Sequence, residues 1–235
     1  MALAHQRLME NGLMMSAEEF AAFGDSVFKR YEEAEAREDR DISDLVKYQD
    51  IVDTLLPTLP KARRERLALE AKKAFWDAAV KSYPIRKSAR QALEGLRSKG
   101  LRMGVVSNHH DYESLLGHLE DSGIRSHFEV VLASEREGIR KPSRAIFVKS
   151  LRAMGVESEH AIFVGDSPRH DIMGAQGAGI TAVLIDDGEH KDSWAHQKAE
   201  GEPEYVIDDL LALHDVLDDL RGGSRAKSRR RTRSA

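Results

Sequence analysis

Four polar residues of this sequence stand just past short apolar runs, and their types suit a phosphoryl group. Ser107 and Asn108 follow residues 101–106 (LRMGVV), Lys141 follows residues 130–133 after a short loop, and Asp166 follows residues 161–164 (AIFV) and Gly165. A hydroxyl at a strand end, followed by free backbone amides, grips a phosphate oxygen. Lysine adds a compact positive charge opposite a trianion. A carboxylate at Asp166 is a hard oxygen ligand suited to Mg2+, which keeps most of its waters and takes few protein ligands. Asp171 falls in the first turns of a helix that Ser167 caps and Pro168 opens, where it could brace Lys141 or the metal's water shell. Taken singly, these residues read as well as a loop start, a surface lysine and a helix cap. Their order and shared position at strand ends carry the argument.

The elements that must hold them are legible in the periodicity. Residues 85–220 alternate helix and short apolar run: helices near 88–98, 111–121, 145–154 and 168–176 precede runs at 101–106, 130–132, 161–164 and 181–185, and 205–207 leads into a helix over 208–220. That texture is the βαβ signature of a parallel sheet covered on both faces, in which ligands bind beyond the carboxyl ends of the strands. Residues 1–83 read as helices only. Phe20, Phe23, Val27, Tyr31 and Ala34 form one stripe after an N-cap at Ser16; Ile42, Leu45, Val46, Val52, Leu55 and Leu56 form a second, ended by Pro57 and Pro60. Leu67, Ala71, Ala74, Phe75 and Ala78 form a third, and a short stripe lies near residues 3–9. The expected architecture is a helical domain over 1–83, a three-layer α/β sandwich with a parallel Rossmann-like sheet over 84–221, and a tail over 222–235.

Composition narrows the function further. The 235 residues are 41% hydrophobic and 32% charged, with no cysteine, which excludes disulfides, thiolate metal sites and a cysteine nucleophile, and fits a reducing, cytoplasmic setting. No apolar run approaches the roughly 18 residues that span a bilayer. The net charge is −4; setting aside the six basic residues of the tail after Gly222-Gly223 leaves −10 on residues 1–223. An acidic body repels nucleic acid, so only the tail at 224–235, expected to be disordered and solvated, could touch it. No GxGxxG, GxxxxGK[ST] or GxSxG occurs, which removes dinucleotide, P-loop and serine-hydrolase readings. His109-His110 lacks a second histidine at helical spacing and reads as a polar loop rather than a metal site, and His170 reads as solvent-facing.

The ordered set resembles the haloacid dehalogenase-like hydrolases, which are mostly Mg2+-dependent phosphatases. MGVVSN with Ser107 is similar to the family's second motif, RKPSRAIF with Lys141 to its third, and Gly165-Asp166-Ser167 through Asp171 to its fourth. The resemblance implies Ser107, Asn108 and Lys141 as phosphate-binding, Lys141 also as catalytic, Asp166 and Asp171 as metal-binding, Mg2+ as cofactor, and residues 1–83 as a helical cap. It implies hydrolysis of a small phosphorylated metabolite through a phospho-aspartate. The metal-free dehalogenase branch fits the fourth motif less well.

One departure is large. The family's first motif, an apolar strand ending DxDx[TV] that supplies the nucleophile, has no match. Asp39-Arg40-Asp41 follows a charged helical stretch, Asp25 lies on the first helical stripe, and Asp186-Asp187 come after the fourth motif. The resemblance places that strand between those bearing the second and fourth motifs, so its absence would leave two open edges inside the sheet. The expectation is a chain short of its first strand by about 15–25 residues. The alternative is a non-catalytic binding or regulatory module of the same fold. Substrate identity and oligomeric state are not legible.

Overall fold

The computed structural model describes residues 1–38, 42–82, 84–186, 188, 202–222 and 230–232. In chain order its elements are α1 (Ala2–Met9), α2 (Ala17–Glu38), α3 (Asp44–Leu55), α4 (Lys61–Ala79), α5 (Ala89–Ser98), β1 (Gly104–Ser107), α6 (Tyr112–Asp121) and β2 (Val130–Ala133). There follow α7 (Ser134–Glu137), α8 (Arg144–Met154), β3 (Ile162–Gly165), a π-helical turn (Pro168–Met173), α9 (Gly174–Gly177), β4 (Thr181–Ile185), β5 (Tyr205–Ile207), α10 (Leu213–Arg221) and β6 (Arg230–Thr232). The chain divides into two units. No described helix is long and apolar enough to cross a membrane.

The helical unit comprises Met1–Pro84 together with Asn108–Asp121 and Ala133–Arg140, so it takes in two segments beyond the expected boundary at 83. Helix α2 opens with a capping box: the Glu19 amide donates to Ser16 Oγ at 3.2 Å, and the Ser16 amide donates to Glu19 Oε2 at 2.9 Å. Its stripe buries Phe20 and Val27 against Leu8, Tyr48, Ile51, Val52, Leu67 and Ala71. Each large side chain so buried contributes about 1.5–3 kcal/mol. The expected stripe of α3 is only partly right. Val46 is 48% exposed, while Asp44 and Lys47 are buried beside Tyr48, Ile51 and Val52. Charged residues occupy two places on the inward face; of the expected stripe, Val52 and Leu56 are buried and Leu45 and Leu55 pack against the core, while Val46 turns outward.

The α/β unit comprises Ile85–Ser107, Ser122–Leu132 and Lys141–Ala235. Strands β3, β4 and β5 pair in parallel in that order, with Ile162 opposite Thr181, Val183 opposite Tyr205 and Ile185 opposite Ile207. Alternation assigns the two faces. Ile162, Val164, Val183 and Ile185 face a cluster with Leu96 of α5 and Leu213, Val216 and Leu217 of α10. Phe163 points the other way, its ring edge-on to Phe147 of α8 at 4.9 Å. These are the three layers expected. The sheet, however, comes in two pieces, β1–β2 and β3–β4–β5–β6. Among the described residues no strand joins β1 to β3, although α8 touches both: Met154 lies against Gly104 of β1 as Phe147 lies against β3. In the tail, where disorder was expected, Arg230–Thr232 pairs in parallel with β5 and adds an edge strand; the rest of 223–235 lies outside the described residues.

Candidate active site

Three of the expected residues are brought together at the carboxyl end of β3. The Ser167 hydroxyl caps the π-helical turn by accepting from the His170 amide at 3.1 Å, and that turn carries Asp171 back beneath the strand end. Asp171 is buried, and both its oxygens are engaged. Oδ2 accepts the Ser167 amide at 3.0 Å and Oδ1 accepts Lys141 Nζ at 2.6 Å. Two hydrogen bonds therefore link Lys141 to the Asp166–Ser167 peptide. A Cβ at Gly165 would fall onto the Asp171 carboxyl, so only glycine lets the strand end approach it.

Lys141 is reached from a different element. The loop after Gly138, which closes α7 in the left-handed region, runs through Lys141 into α8, whose N-cap is Ser143. Its ammonium lies 5.5 Å from the centre of the Phe163 ring, a cation–π contact that adds to the pairing with Asp171. Bracing Lys141 is one of the two roles expected for Asp171, and its contacts are in place. Asp166 differs from it in environment: it is exposed, and it makes no hydrogen bond or ion pair among the described residues.

Ser107 ends β1 in the two-stranded sheet of the same unit and is half-buried. Asn108, one peptide bond on, begins the segment that belongs to the helical unit. His109 and His110 also belong there. Trp76 of α4 lies 4.9 Å from the His109 ring and stacks on His110 at 5.9 Å and 19°. His109 Nδ1 accepts the Asp111 amide at 3.1 Å, which leaves its proton on Nε2. Burial holds its pKa below the ordinary histidine value, against the opposing pull of Asp111 and Asp44. His170, expected to face solvent, turns Nδ1 onto Ser167 Oγ at 3.2 Å.

Sequence reasoning missed Phe163 beneath Lys141 and the Gly165–Asp171 contact. An aromatic inside an apolar run carries no sign of the cation beside it. Of the carboxylates weighed as nucleophiles, Asp25 is exposed on α2, and Asp186 accepts the Gly188 amide at 3.1 Å in the turn after β4. Asp39, Asp41 and Asp187 lie outside the described residues.

The chain thus combines a parallel α/β unit, carrying a buried lysine–aspartate pair at a strand's carboxyl end, with a helical unit. Residues 13–185 match the model of the haloacid dehalogenase-like hydrolase family, and the chain belongs to that family. A glyceraldehyde 3-phosphate phosphatase of Methanothermobacter thermautotrophicus is 35% identical over 125 residues, 52% of this chain and 54% of that protein. A second, of Methanopyrus kandleri, is 32% identical over 72% of this chain and 71% of its own length. The chain thus spans between about half and seven-tenths of the length of these two relatives. The crystal structure of a 2-haloacid dehalogenase from Pseudomonas syringae shares the fold, with a TM-score of 0.71 and 23% identity over 93% of this chain and 89% of that one.

Proposed function

We propose that this chain grips the transferring phosphoryl group in a phosphatase-type hydrolase of small phosphorylated metabolites. The observation that carries the reading is the Lys141–Asp171 pair hung from the Ser167 amide at the end of β3. Asp171 holds Lys141 in place at 2.6 Å, and Lys141 with the Ser107 hydroxyl opposes the charge on the phosphoryl oxygens. The two archaeal relatives, both glyceraldehyde 3-phosphate phosphatases, support a small phosphate ester as substrate.

Asp166 is the group that would hold Mg2+. One exposed carboxylate suits an ion that keeps most of its waters, but Asp171 is committed to Lys141, and no group of three metal-ligating side chains occurs among the described residues. When bound, Mg2+ would neutralise phosphoryl charge. In the reaction that the family resemblance implies, an aspartate carboxylate attacks phosphorus and the ester oxygen departs with a proton. Water then attacks phosphorus, releasing phosphate and regenerating the carboxylate. A strand carrying that aspartate would pair with the open edges of β1 and β3.

The test compares two forms of the protein on an aryl phosphate, with and without Mg2+. The 235-residue chain is expected to turn over nothing measurable, since loss of a nucleophile costs several orders of magnitude in rate. The same chain carrying, ahead of Met1, an apolar strand ending DxDxT or DxDxV is expected to hydrolyse the ester with Mg2+, and Asp166→Ala to abolish that activity. A folded, extended protein that stays silent would overturn the reading in favour of a non-catalytic binding module. Turnover by the 235-residue chain would overturn the assignment of the missing group and send the search to Asp25, Asp39 and Asp41.

A further inference from the structure

The chain crosses between its two units at the Ser107–Asn108 and Arg140–Lys141 peptide bonds. On one side of these bonds stand the two proposed phosphate-gripping residues. On the other, both segments reach one buried cation, Lys72 of α4. Lys72 Nζ lies 3.2 Å from Asp111 Oδ2 and 3.3 Å from Glu135 Oε1, with side-chain exposures of 8%, 10% and 17%. Asp111 stands three residues after Asn108, and Glu135 five before Arg140. Neither acid is idle otherwise. Asp111 Oδ1 accepts the Ser114 amide at 2.9 Å, capping α6, and Glu135 Oε1 accepts the Ser43 hydroxyl at 3.0 Å. The Glu135 amide also reaches the His109 carbonyl at 3.3 Å, joining the two segments directly.

Stability alone is a poor reason for this arrangement. Removing three charges from water costs several kcal/mol per ion, and well-packed apolar groups of the same volume do as well or better. What the triad supplies is a fixed spacing between two segments that sequence separates by more than 20 residues. We infer that Lys72 is a positioning residue for the phosphate site: by clamping Asp111 and Glu135 it sets the separation of Asn108 and Arg140, and so, through one peptide bond each, that of Ser107 and Lys141. A consecutive pair of Cα atoms is held at about 3.8 Å, so little of that constraint is lost across the bond. The inference rests on the phosphate-site reading above for what is being positioned.

The experiment uses the full chain as wild type, Lys72→Met, Lys72→Arg, and the triple variant Lys72→Met/Asp111→Asn/Glu135→Gln, which removes all three charges together. Two readouts are taken: hydrogen exchange at the Asp111, Ser114, Glu135 and Gly138 amides without ligand, and affinity for inorganic phosphate. Lys72→Met is expected to speed exchange in both segments together by about tenfold or more, leaving the Ile51 and Val52 amides of α3 unchanged. Phosphate affinity is expected to fall by about tenfold, with Lys72→Arg restoring both readouts. Where Lys72→Met does not fold, the triple variant is read instead and is expected to fold with phosphate affinity still weakened. Unchanged exchange in either segment would overturn the inference, as would faster exchange with phosphate affinity intact. A wild type that binds no phosphate, yet shows coupled exchange, overturns the phosphate-site reading while supporting the clamp.

Discussion

In the helical unit, Lys47 is 2% exposed and lies 3.0 Å from both Glu35 and Asp44, which are 3% and 1% exposed. In the α/β unit, Lys141 is 12% exposed over an Asp171 that is 4% exposed. Both are lysine–carboxylate pairings, but they are built for different ends. Around Lys47 the charges close on themselves: Asp44 also accepts the Trp76 indole at 2.9 Å, and Glu35 accepts the Ile42 amide at 3.0 Å. Burial works against the Lys47 ammonium, yet Asp44 and Glu35 outweigh it and hold its pKa above the ordinary lysine value. At Lys141 the acid is the deeper partner and the cation the shallower, and the exposed Asp166 stands one residue from the amide that anchors the acid. The difference separates a charge cluster closed within the helices from a pair whose cation is the more exposed member.

The largest effect expected from this contrast is on folding. Lys47→Met leaves two buried carboxylates without their cation, and breaking such a pair costs about 3–5 kcal/mol. Urea denaturation is expected to show that loss, with most of it recovered in Lys47→Met/Glu35→Gln/Asp44→Asn. A Lys47→Met protein as stable as wild type would erase the distinction, because its cluster would then be no more structural than the pair at Lys141.

A smaller effect is expected on the pH dependence of stability. His109 is buried and its pKa lies below the ordinary histidine value, so the unfolded chain binds the proton more readily than the folded one. Its contribution is therefore fully present above the unfolded value of about 6.5 and lost as pH falls through the lower folded value. His109→Gln keeps an acceptor for the Asp111 amide and removes the titration. Denaturation at pH 7.5 and pH 5 is expected to show a smaller drop in the variant than in the wild type. Equal drops would mean that the ring charges without penalty.

These two regions were not equally legible. The strand ends of the α/β unit were read from the apolar runs before Ser107 and Asp166, because parallel strands buried on both faces leave continuous hydrophobic signatures. Lys141 could be singled out because it follows such a run after a short loop, and Asp171 because it falls in the first turns of the helix that Ser167 caps. The family resemblance supplied their pairing with phosphate and metal. The helical unit gave up its stripes but not its charges. Nothing in the spacing of Glu35, Asp44, Lys47 and Lys72 marks them as buried, since charged side chains at three- and four-residue intervals are also what a solvated helix face presents. The burial of Lys72 is decided by Asp111 and Glu135, more than 35 residues away on other elements, while Lys47 is met by Asp44 of its own helix and by Glu35 of α2.

The smallest effect expected sits on α3, where spacing alone placed Val46 on the inward stripe. Val46 was assigned to the apolar stripe, yet it is 48% exposed, whereas Ile51 of the same helix is fully buried. Val46→Gln removes a branched side chain that packs on little and restores a slightly better helix former, so its stability is expected to stay within about 0.5 kcal/mol of wild type. Ile51→Ala on the opposite side empties a close-packed position and is expected to cost about 2–5 kcal/mol. Equilibrium unfolding of the two variants under one set of conditions measures the asymmetry directly. A substantial loss at Val46 would mean that this side chain is covered in the folded protein, and the charged face carrying Asp44 and Lys47 would then lose its claim to be the inward side of α3.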